Sequence, residues 1–293
     1  MFELRQFFAG NQIRRDGAFV RTQFANTVQK DSFCFVLGEK YLAQANANPN
    51  ITCVITNGAL ADGVASDKGL VLTDRPEEDF YRLHNELFKV HGMAPAMAFG
   101  VGKTAVIEPT ATVSDKCSIG EGVYIGHHAV IADYSVIEDG AWIGPNTVIG
   151  ADGHFFKRYA NTLFKVEHAG GAMIGRNAQI LAGAIVSKAL HTDFTVVGAG
   201  TVVSVQAHVG HGCIIGSNTI LAGNVQVSGY TTIGNDAWIG PSAVISNLLH
   251  VGDRVRVEIG SVVVKNVPDD GHVSGGFAME HRKNLREYAR CMK

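Results

Sequence analysis

A six-residue spacing of aliphatic side chains dominates the second half of the chain. Every sixth residue from Val197 to Val263 is aliphatic, and a glycine often follows it. The positions are Val197, Val203, Val209, Ile215, Leu221, Val227, Ile233, Ile239, Ile245, Val251, Val257 and Val263. An amphipathic helix repeats every 3.6 residues and a strand every two, so neither alone gives a strict six. The spacing predicts a β-solenoid, whose units are a short strand and a turn, with the aliphatic side chain pointing into the coil.

The same spacing runs through an earlier stretch, from Val101 to Ile149. Its phase breaks across residues 151–173 and resumes at Ile174. A second irregularity follows, since Val186 and Val197 are 11 residues apart, one short of two units. Residues 151–173 are too many for a turn and are expected to form a loop that protrudes from the solenoid. Such loops carry function more often than the scaffold itself.

Composition excludes several classes of protein. The formal net charge of −2 over 293 residues gives no indication of a nucleic-acid partner. Five dispersed cysteines, with no CxxC pair and no signal peptide at Met1, predict reduced thiols in a cytoplasmic protein. No apolar run approaches the roughly 18 residues that a membrane-spanning helix needs.

The limits of the repeat divide the chain into three expected segments. Residues 1–97 lack the repeat and predict a small α/β domain, with strands at 33–37, 51–56 and 70–72 and a helix at 76–90 capped by Asp74. The solenoid is expected over 98–268. Residues 269–293 predict a helical segment that covers the open end of the coil. Its basic side chains are either a solvated face or a dock for an acidic partner: Arg282, Lys283, Arg286, Arg290 and Lys293.

The order of these features resembles a known family. A small α/β domain comes first, the repeat breaks at 149–153 (IGADG), a V-G-H-G-x-x-I-G unit stands at 209–216, and a helix ends the chain. In this order the chain resembles UDP-3-O-acylglucosamine N-acyltransferase, the lipid A enzyme, and related hexapeptide-repeat acyltransferases. The resemblance implies a mainly β fold, a left-handed parallel β-helix of triangular section with a small N-terminal α/β domain and a C-terminal helix.

The resemblance also implies an activity and partners. The expected protein is a cytoplasmic homotrimer that transfers an acyl group to the amine of a UDP- or dTDP-linked amino sugar. Its product serves a cell-surface glycan or glycolipid such as lipopolysaccharide. The donor is acyl carrier protein (ACP) or coenzyme A (CoA) bearing the acyl group as a thioester, a co-substrate rather than a bound cofactor. The basic C-terminal segment favours the acidic carrier protein.

One histidine is the expected catalytic base. By the resemblance, His211 stands two residues after an aliphatic position, in the unit where the family carries its catalytic histidine. An amine that attacks a thioester must lose a proton, and an imidazole with a pKa near 6.5 accepts it at neutral pH. The family's supporting aspartate corresponds to Ser204 here. His208 is the strongest rival.

Further residues are assigned to substrate by the same resemblance. Phe35 and Tyr41 have the F-x5-Y spacing with which the family stacks a uracil base. The loop after IGADG lies near the acceptor sugar in the family, and here it carries His154 and Phe155. Residues expected to line the groove for the substrates are His208, Gly210, Gly223 and Gly229.

Two other functions are compatible with the repeat. Some hexapeptide-repeat trimers bind zinc through histidines in an H-x4-H-G-C unit and hydrate carbon dioxide. His211 and Cys213 match the end of that unit, but Gln206 stands in place of its first histidine. A non-catalytic scaffold is the other alternative. We expect no metal site, Cys213 in the coil wall, and His191 and His250 on the surface.

Overall fold

Aliphatic residues six apart line the inside of a parallel β-solenoid, as the spacing predicts, and the solenoid is the left-handed, three-faced β-helix that the resemblance implies. The structure is a computed structural model that describes residues 1–275 and 281–291. Consecutive strands lie on successive faces, and each pairs in parallel with the strand one coil later. The side chains of Val209, Ile215 and Leu221, one from each face, are at most 1% exposed.

Each face is a sheet of two- to four-residue strands. Face 1 contains Gly100–Val101, Ser118–Ile119, Ser135–Ile137, Gly171–Ile174, Phe194–Val197, Ile214–Ile215, Thr232–Ile233 and His250–Val251. Face 2 contains Val106–Ile107, Tyr124–Ile125, Trp142–Ile143, Gln179–Ile180, Val202–Val203, Ile220–Leu221, Trp238–Ile239, Arg256–Val257 and His272–Val273. Face 3 contains Thr112–Val113, Val130–Ile131, Val148–Ala151, Ile185–Ser187, His208–Val209, Gln226–Val227, Val244–Ile245 and Val262–Val263.

The corners between faces explain the recurring glycines. A Cβ built on Gly216 would lie 2.5 Å from the backbone carbon of Gly234 in the next coil, so the residue after the aliphatic position must be small there. Two positions later most corners adopt a positive φ, which glycine and asparagine tolerate best. Gly212 and Asn218 are examples, with φ of 67° and 54°.

The N-terminal domain contains a five-stranded sheet flanked by helices. In spatial order the strands are Ile13–Arg15, Gly69–Leu72, Ile51–Thr56, Ser32–Phe35 and Arg21–Thr22, the last four parallel. Phe2–Glu3 and Ala18–Phe19 form a separate antiparallel pair. Helix α1 is Glu39–Ala47 and helix α2 is Pro76–Lys89, and the short 3₁₀ turns are Leu4–Gln6 and Ala61–Gly63.

Some boundaries differ from those the sequence predicts. The N-cap of α2 is Arg75 rather than Asp74, with Pro76 in the first turn. Helix α1 was not predicted, because its nine residues give only a weak amphipathic pattern. Strand pairing continues past residue 268 to His272–Val273. The interruption of the solenoid contains an antiparallel hairpin, Phe156–Tyr159 with Thr162–Lys165.

The last element that the structure describes is helix α3, His281–Cys291, within the predicted span 277–293. The remainder of that span, and the side chains of Leu285 and Tyr288, lie outside the described residues. No helix in the part of the chain that the structure describes is long and apolar enough to cross a bilayer.

Adding one methyl group at a tight corner tests this packing. We expect Gly216→Ala to lower the free energy of unfolding by roughly 1–3 kcal/mol, because the new Cβ meets the backbone of the next coil. Gly223→Ala is the matched control, since its Cβ would come no closer than 3.5 Å to Val205 Cγ2. Urea denaturation of both variants gives the comparison, and equal stability would contradict the close coil-to-coil contact at Gly216.

Candidate active site

Both irregularities of the solenoid, the insertion and the shortened turn, lie at the corner between faces 3 and 1. The insertion leaves after Val148–Ala151 on face 3 and returns at Gly171–Ile174 on face 1. The shortened turn lies one coil later, between Ile185–Ser187 and Phe194–Val197. His211 occupies the same corner in the following coil. We call this edge of the prism, residues 152–170, 188–193, 210–213 and 228–231, the His211 corner.

Two glycines make room for the ring of His211. A Cβ on Gly153 would lie 2.6 Å from His211 Nδ1, and a Cβ on Gly229 would lie 2.5 Å from its Nε2. Gly153 ends the IGADG segment and Gly229 belongs to the next coil, so two separate sequence features meet at this imidazole. Gly229, expected to touch substrate, therefore has a structural reason to be glycine; its contact with substrate remains a prediction.

Three rings surround His211 edge-on. Phe155, His168 and Tyr230 have ring centroids 5.6, 5.4 and 5.4 Å from it. Tyr230 adopts a φ of 57°, which is unfavourable for a bulky side chain. Gly212 lies against the Tyr230 ring, since a Cβ there would come within 2.5 Å of Tyr230 Cε1. Tight packing thus fixes the orientation of the imidazole.

The imidazole of His211 is unprotonated at neutral pH. Burial lowers its pKa to about 4, with smaller contributions from His208 and His154. Neither ring nitrogen is hydrogen-bonded to a described residue, and neither is among the buried polar atoms without a partner. The half-buried ring therefore keeps a nitrogen accessible to solvent or to a substrate.

The N-terminal domain docks against the His211 corner through histidines and aromatic rings. His84 on α2 lies 5.1 Å from the ring of His191, and Phe24 lies 4.7 Å from His191 and 5.1 Å from Tyr230. His191 is 1% exposed, so the prediction that it lies on the surface is wrong. The sequence could not reveal this, because the covering residues come from a distant part of the chain.

Buried polar atoms without a partner are concentrated at this docking interface. Among residues 1–275 and 281–291, seven such side-chain atoms are found, and their residues lie in or just after strand Arg21–Thr22 or at the His211 corner. They belong to Arg21, Gln23, His168, His191, Thr192 and Tyr230. Buried polar groups are normally satisfied, often by ordered water, so this interface is where we expect bound waters.

Ion pairs hold the insertion in place over the corner. Lys157 pairs with Glu77 of α2 at 2.6 Å, which ties the hairpin to the N-terminal domain. At the base of the insertion, Asp152 accepts from Lys165 at 2.8 Å and Lys188 at 3.1 Å. Both lysines help to lower the pKa of Asp152 against the opposing effect of burial. The turn leading into Gly153 is thereby anchored.

The other predicted residues lie at varying distances from this corner. His154 is exposed in the insertion, 5.4 Å from the ring of Phe156. His208 points outward from face 3 and hydrogen-bonds to Ser187 at 3.1 Å. Gly210 packs against the next coil, with Val227 O 2.7 Å from a Cβ built on it, whereas a Cβ on Gly223 would make only ordinary contacts with Val205, at 3.5 Å or more.

The presumed stacking pair differs in exposure. Phe35 packs against Phe80 and Tyr81 of α2, with centroids 5.0 and 5.6 Å away. Tyr41 is 53% exposed in the first turn of α1, with the Lys40 ammonium 5.9 Å from its ring. Beside the end of strand Ser32–Phe35 is an open depression of about 250 Å³. It is lined by Leu37, Asp74, Arg75, Pro76, Glu77, Glu78 and Tyr159.

Metal binding receives no support from the side-chain arrangement. No group of three or more His, Cys, Asp or Glu side chains suited to a metal ion occurs in the described parts of the chain. Gln206, the position that the zinc unit would fill with histidine, lies at the corner between faces 2 and 3. Cys213 is fully buried in the coil wall, as expected, and His250 is exposed.

Comparison with known proteins confirms the resemblance. No family model matches the chain. UDP-3-O-acylglucosamine N-acyltransferase of Herminiimonas arsenicoxydans is 32% identical over 135 residues, 46% of this chain and 38% of that enzyme. The Neisseria meningitidis serogroup B enzyme of the same name is 28% identical over 237 residues, 70% of this chain and 65% of its own. Thus the match spans less than two thirds of either enzyme.

Among solved structures, UDP-N-acetylglucosamine acyltransferase from Campylobacter jejuni matches with a TM-score of 0.47 and 23% identity. The match covers 58% of this chain and 69% of that one.

The buried histidines predict a loss of stability in mild acid. Burial lowers the pKa of His84, His168 and His211 to about 4, and that of His191 well below its usual value. Unfolded histidines have a pKa of about 6.5. As the pH falls from about 6.5 towards 4, the unfolded chain binds protons that the folded chain does not, so the free energy of unfolding decreases.

Urea denaturation at about pH 7.5, 6.5, 5.5 and 5 measures this effect. These pH values lie mostly above the pKa of carboxyl groups, so the histidines dominate the change. His191→Phe, which removes one of the four groups, should show a shallower decrease. A midpoint that does not change across this range would contradict the neutral buried histidines.

Proposed function

We propose that this chain transfers an acyl group from a thioester to the amine of a nucleotide-linked amino sugar. The observation that carries the proposal is the seating of His211: an unprotonated, rigidly packed imidazole with an accessible nitrogen, where the insertion and the N-terminal domain meet. The comparisons support the same reaction class, because relatives that match nearly half of the chain are named as N-acyltransferases of an acylglucosamine nucleotide.

In the proposed reaction the amine nitrogen attacks the thioester carbonyl carbon. A C–N bond forms, the carbonyl oxygen becomes an oxyanion, and His211 accepts the proton that the nitrogen must lose. Collapse of the tetrahedral intermediate re-forms the carbonyl, breaks the C–S bond and releases the thiol after the sulfur regains a proton. No covalent enzyme intermediate is required, which agrees with the burial of Cys213.

The acceptor is proposed to bind between the N-terminal domain and the His211 corner. Tyr41 offers an exposed ring for a pyrimidine base. Phe35 packs in the core on the α2 side at the end of strand Ser32–Phe35, whereas helix α1 packs against the other core of the domain. The nearby depression is lined by three carboxylates, Asp74, Glu77 and Glu78, with Arg75. Since carboxylates repel phosphates, we place the base and not the diphosphate beside that depression.

The donor and the assembly are parts of the same proposal. Helix α3 exposes Arg282, Lys283, Arg286 and Arg290, a charge pattern suited to the acidic acyl carrier protein. The outward column of face 3 carries Val130 and Ile185, then polar His208 and Gln226, then Val244 and Val262, and association of three copies would cover its exposed apolar side chains. All five cysteines are free, in keeping with a reducing cytoplasm.

Removing the proposed base tests the mechanism. His211→Ala should lower kcat by roughly 10²–10⁴-fold with the fold intact, because general-base catalysis is lost. His250→Ala, at an exposed position on face 1, is the control and should keep wild-type turnover. Amide formation with UDP- and dTDP-amino sugars and both donor types gives the rates. Full turnover by His211→Ala would remove this residue from the mechanism.

Substituting the exposed aromatic residue tests nucleotide binding. Tyr41→Ala should raise KM for the nucleotide sugar about 5- to 100-fold with little change in kcat, as expected for loss of base stacking. It is a cleaner variant than Phe35→Ala, which would also disturb the packing of Phe80 and Tyr81. Gln44→Ala, exposed on the same helix, is the control. An unchanged KM in the Tyr41 variant would exclude stacking there.

A further inference from the structure

We propose that His168 is a positioning residue, which holds the backbone of Gly153 against the catalytic imidazole. The inference rests on the proposed function of His211 and deepens it. His168 belongs to the segment that leads from the hairpin back to the solenoid, between Thr162–Lys165 and Gly171–Ile174. His168 belongs to none of the sequence motifs described above, and it is 1% exposed.

Gly153 lies between the two imidazoles. Its N–H donates to Nε2 of His168 at 3.2 Å. A Cβ on Gly153 would lie 2.6 Å from Nδ1 of His211 and 3.0 Å from Nε2 of His168. The His168 ring also stands edge-on to the His211 ring, at 5.4 Å and 78°. The His168 side chain therefore holds the Gly153 backbone on one side of His211, and its own ring packs on another side of the same imidazole.

The protonation of His168 follows from this contact. Nε2 accepts a hydrogen bond, so a neutral ring carries its proton on Nδ1. Nδ1 is buried and has no partner among the described residues. A buried N–H without an acceptor is unfavourable, and packing alone would favour an apolar side chain at this position. The useful atom of His168 is its acceptor, Nε2.

The preceding residue is already fixed by other groups. The carboxylate of Asp152 is held by Lys165 and Lys188, so the chain is anchored up to that point without His168. Loss of the His168 acceptor would free only the peptide of Gly153, directly beside His211 Nδ1. We therefore expect a change in catalysis rather than in folding.

The experiment compares His168→Leu, which removes the acceptor, with His168→Gln, whose side-chain carbonyl can accept the Gly153 N–H. We expect kcat to fall about 10- to 100-fold in the Leu variant, with KM within about 2-fold, since small displacements of catalytic groups have effects of this size. The Gln variant should recover most of the loss. His250→Leu, the same substitution at an exposed histidine on face 1 outside the His211 corner, is the control and should keep wild-type kcat.

A second measurement does not depend on turnover. In full-length protein with ¹⁵N- and ¹³C-labelled histidine, the His211 ring signals and their titration should shift in His168→Leu and stay near wild type in His168→Gln. If the wild-type protein forms no amide, the proposed function fails, yet these spectra still test the contact.

Two results would overturn the inference: a Leu variant with unchanged kcat and unchanged His211 signals, or a Gln variant as impaired as the Leu variant. His168→Phe, which keeps the ring volume, replaces the Leu variant should that protein not fold.

Discussion

Stacking of successive coils fixes the height and direction of every corner in this molecule. Each strand between the two ends of a face hydrogen-bonds to the strands directly above and below it, and the inward aliphatic side chains allow little change in coil width. An irregularity in the middle of a strand would leave ladder hydrogen bonds unpaired, whereas one at a corner disturbs only the end of a strand. Here the register of Val148–Ala151 against Ile185–Ser187 shifts between Ile149 and Ala151, where the insertion leaves. Both irregularities of the solenoid accordingly lie at one corner, and His211 lies on the coil just after them.

The interface above that corner is poorly optimised for stability. Histidines and other polar side chains occupy buried positions where apolar residues would pack without unsatisfied groups. Departures of this kind from local rules concentrate at functional sites. Stability is supplied elsewhere, by the continuous column of aliphatic residues in the coil and by the aromatic core of the N-terminal domain. The division explains how an interface with unsatisfied polar groups persists on a rigid scaffold.

The sequence predicted what is local and periodic. The repeat gave the solenoid, its interruption gave the insertion, and the V-G-H-G unit pointed to His211. The sequence did not predict the partners of His211: Gly153 was seen only as part of a motif, and His168 and Tyr230 carry no periodic signal. His191 was misplaced because a turn residue is expected to be exposed, and only docking by Phe24 and His84 buries it. The spacing of residues along the chain therefore does not predict contacts between segments that are distant in sequence.

A base with a pKa of about 4 appears weak for neutral pH, yet the proposed reaction accounts for it. Ser204, at the position where the similar acyltransferases carry a supporting aspartate, is uncharged and lies at a different corner, so it supplies no negative charge to His211. The reaction itself supplies one, because the oxyanion forms beside the imidazole in the step that transfers the proton. In a poorly solvated site the resulting ion pair is strongly favoured. His211 would then be a weak base in the free protein and a stronger one once the thioester carbonyl has been attacked.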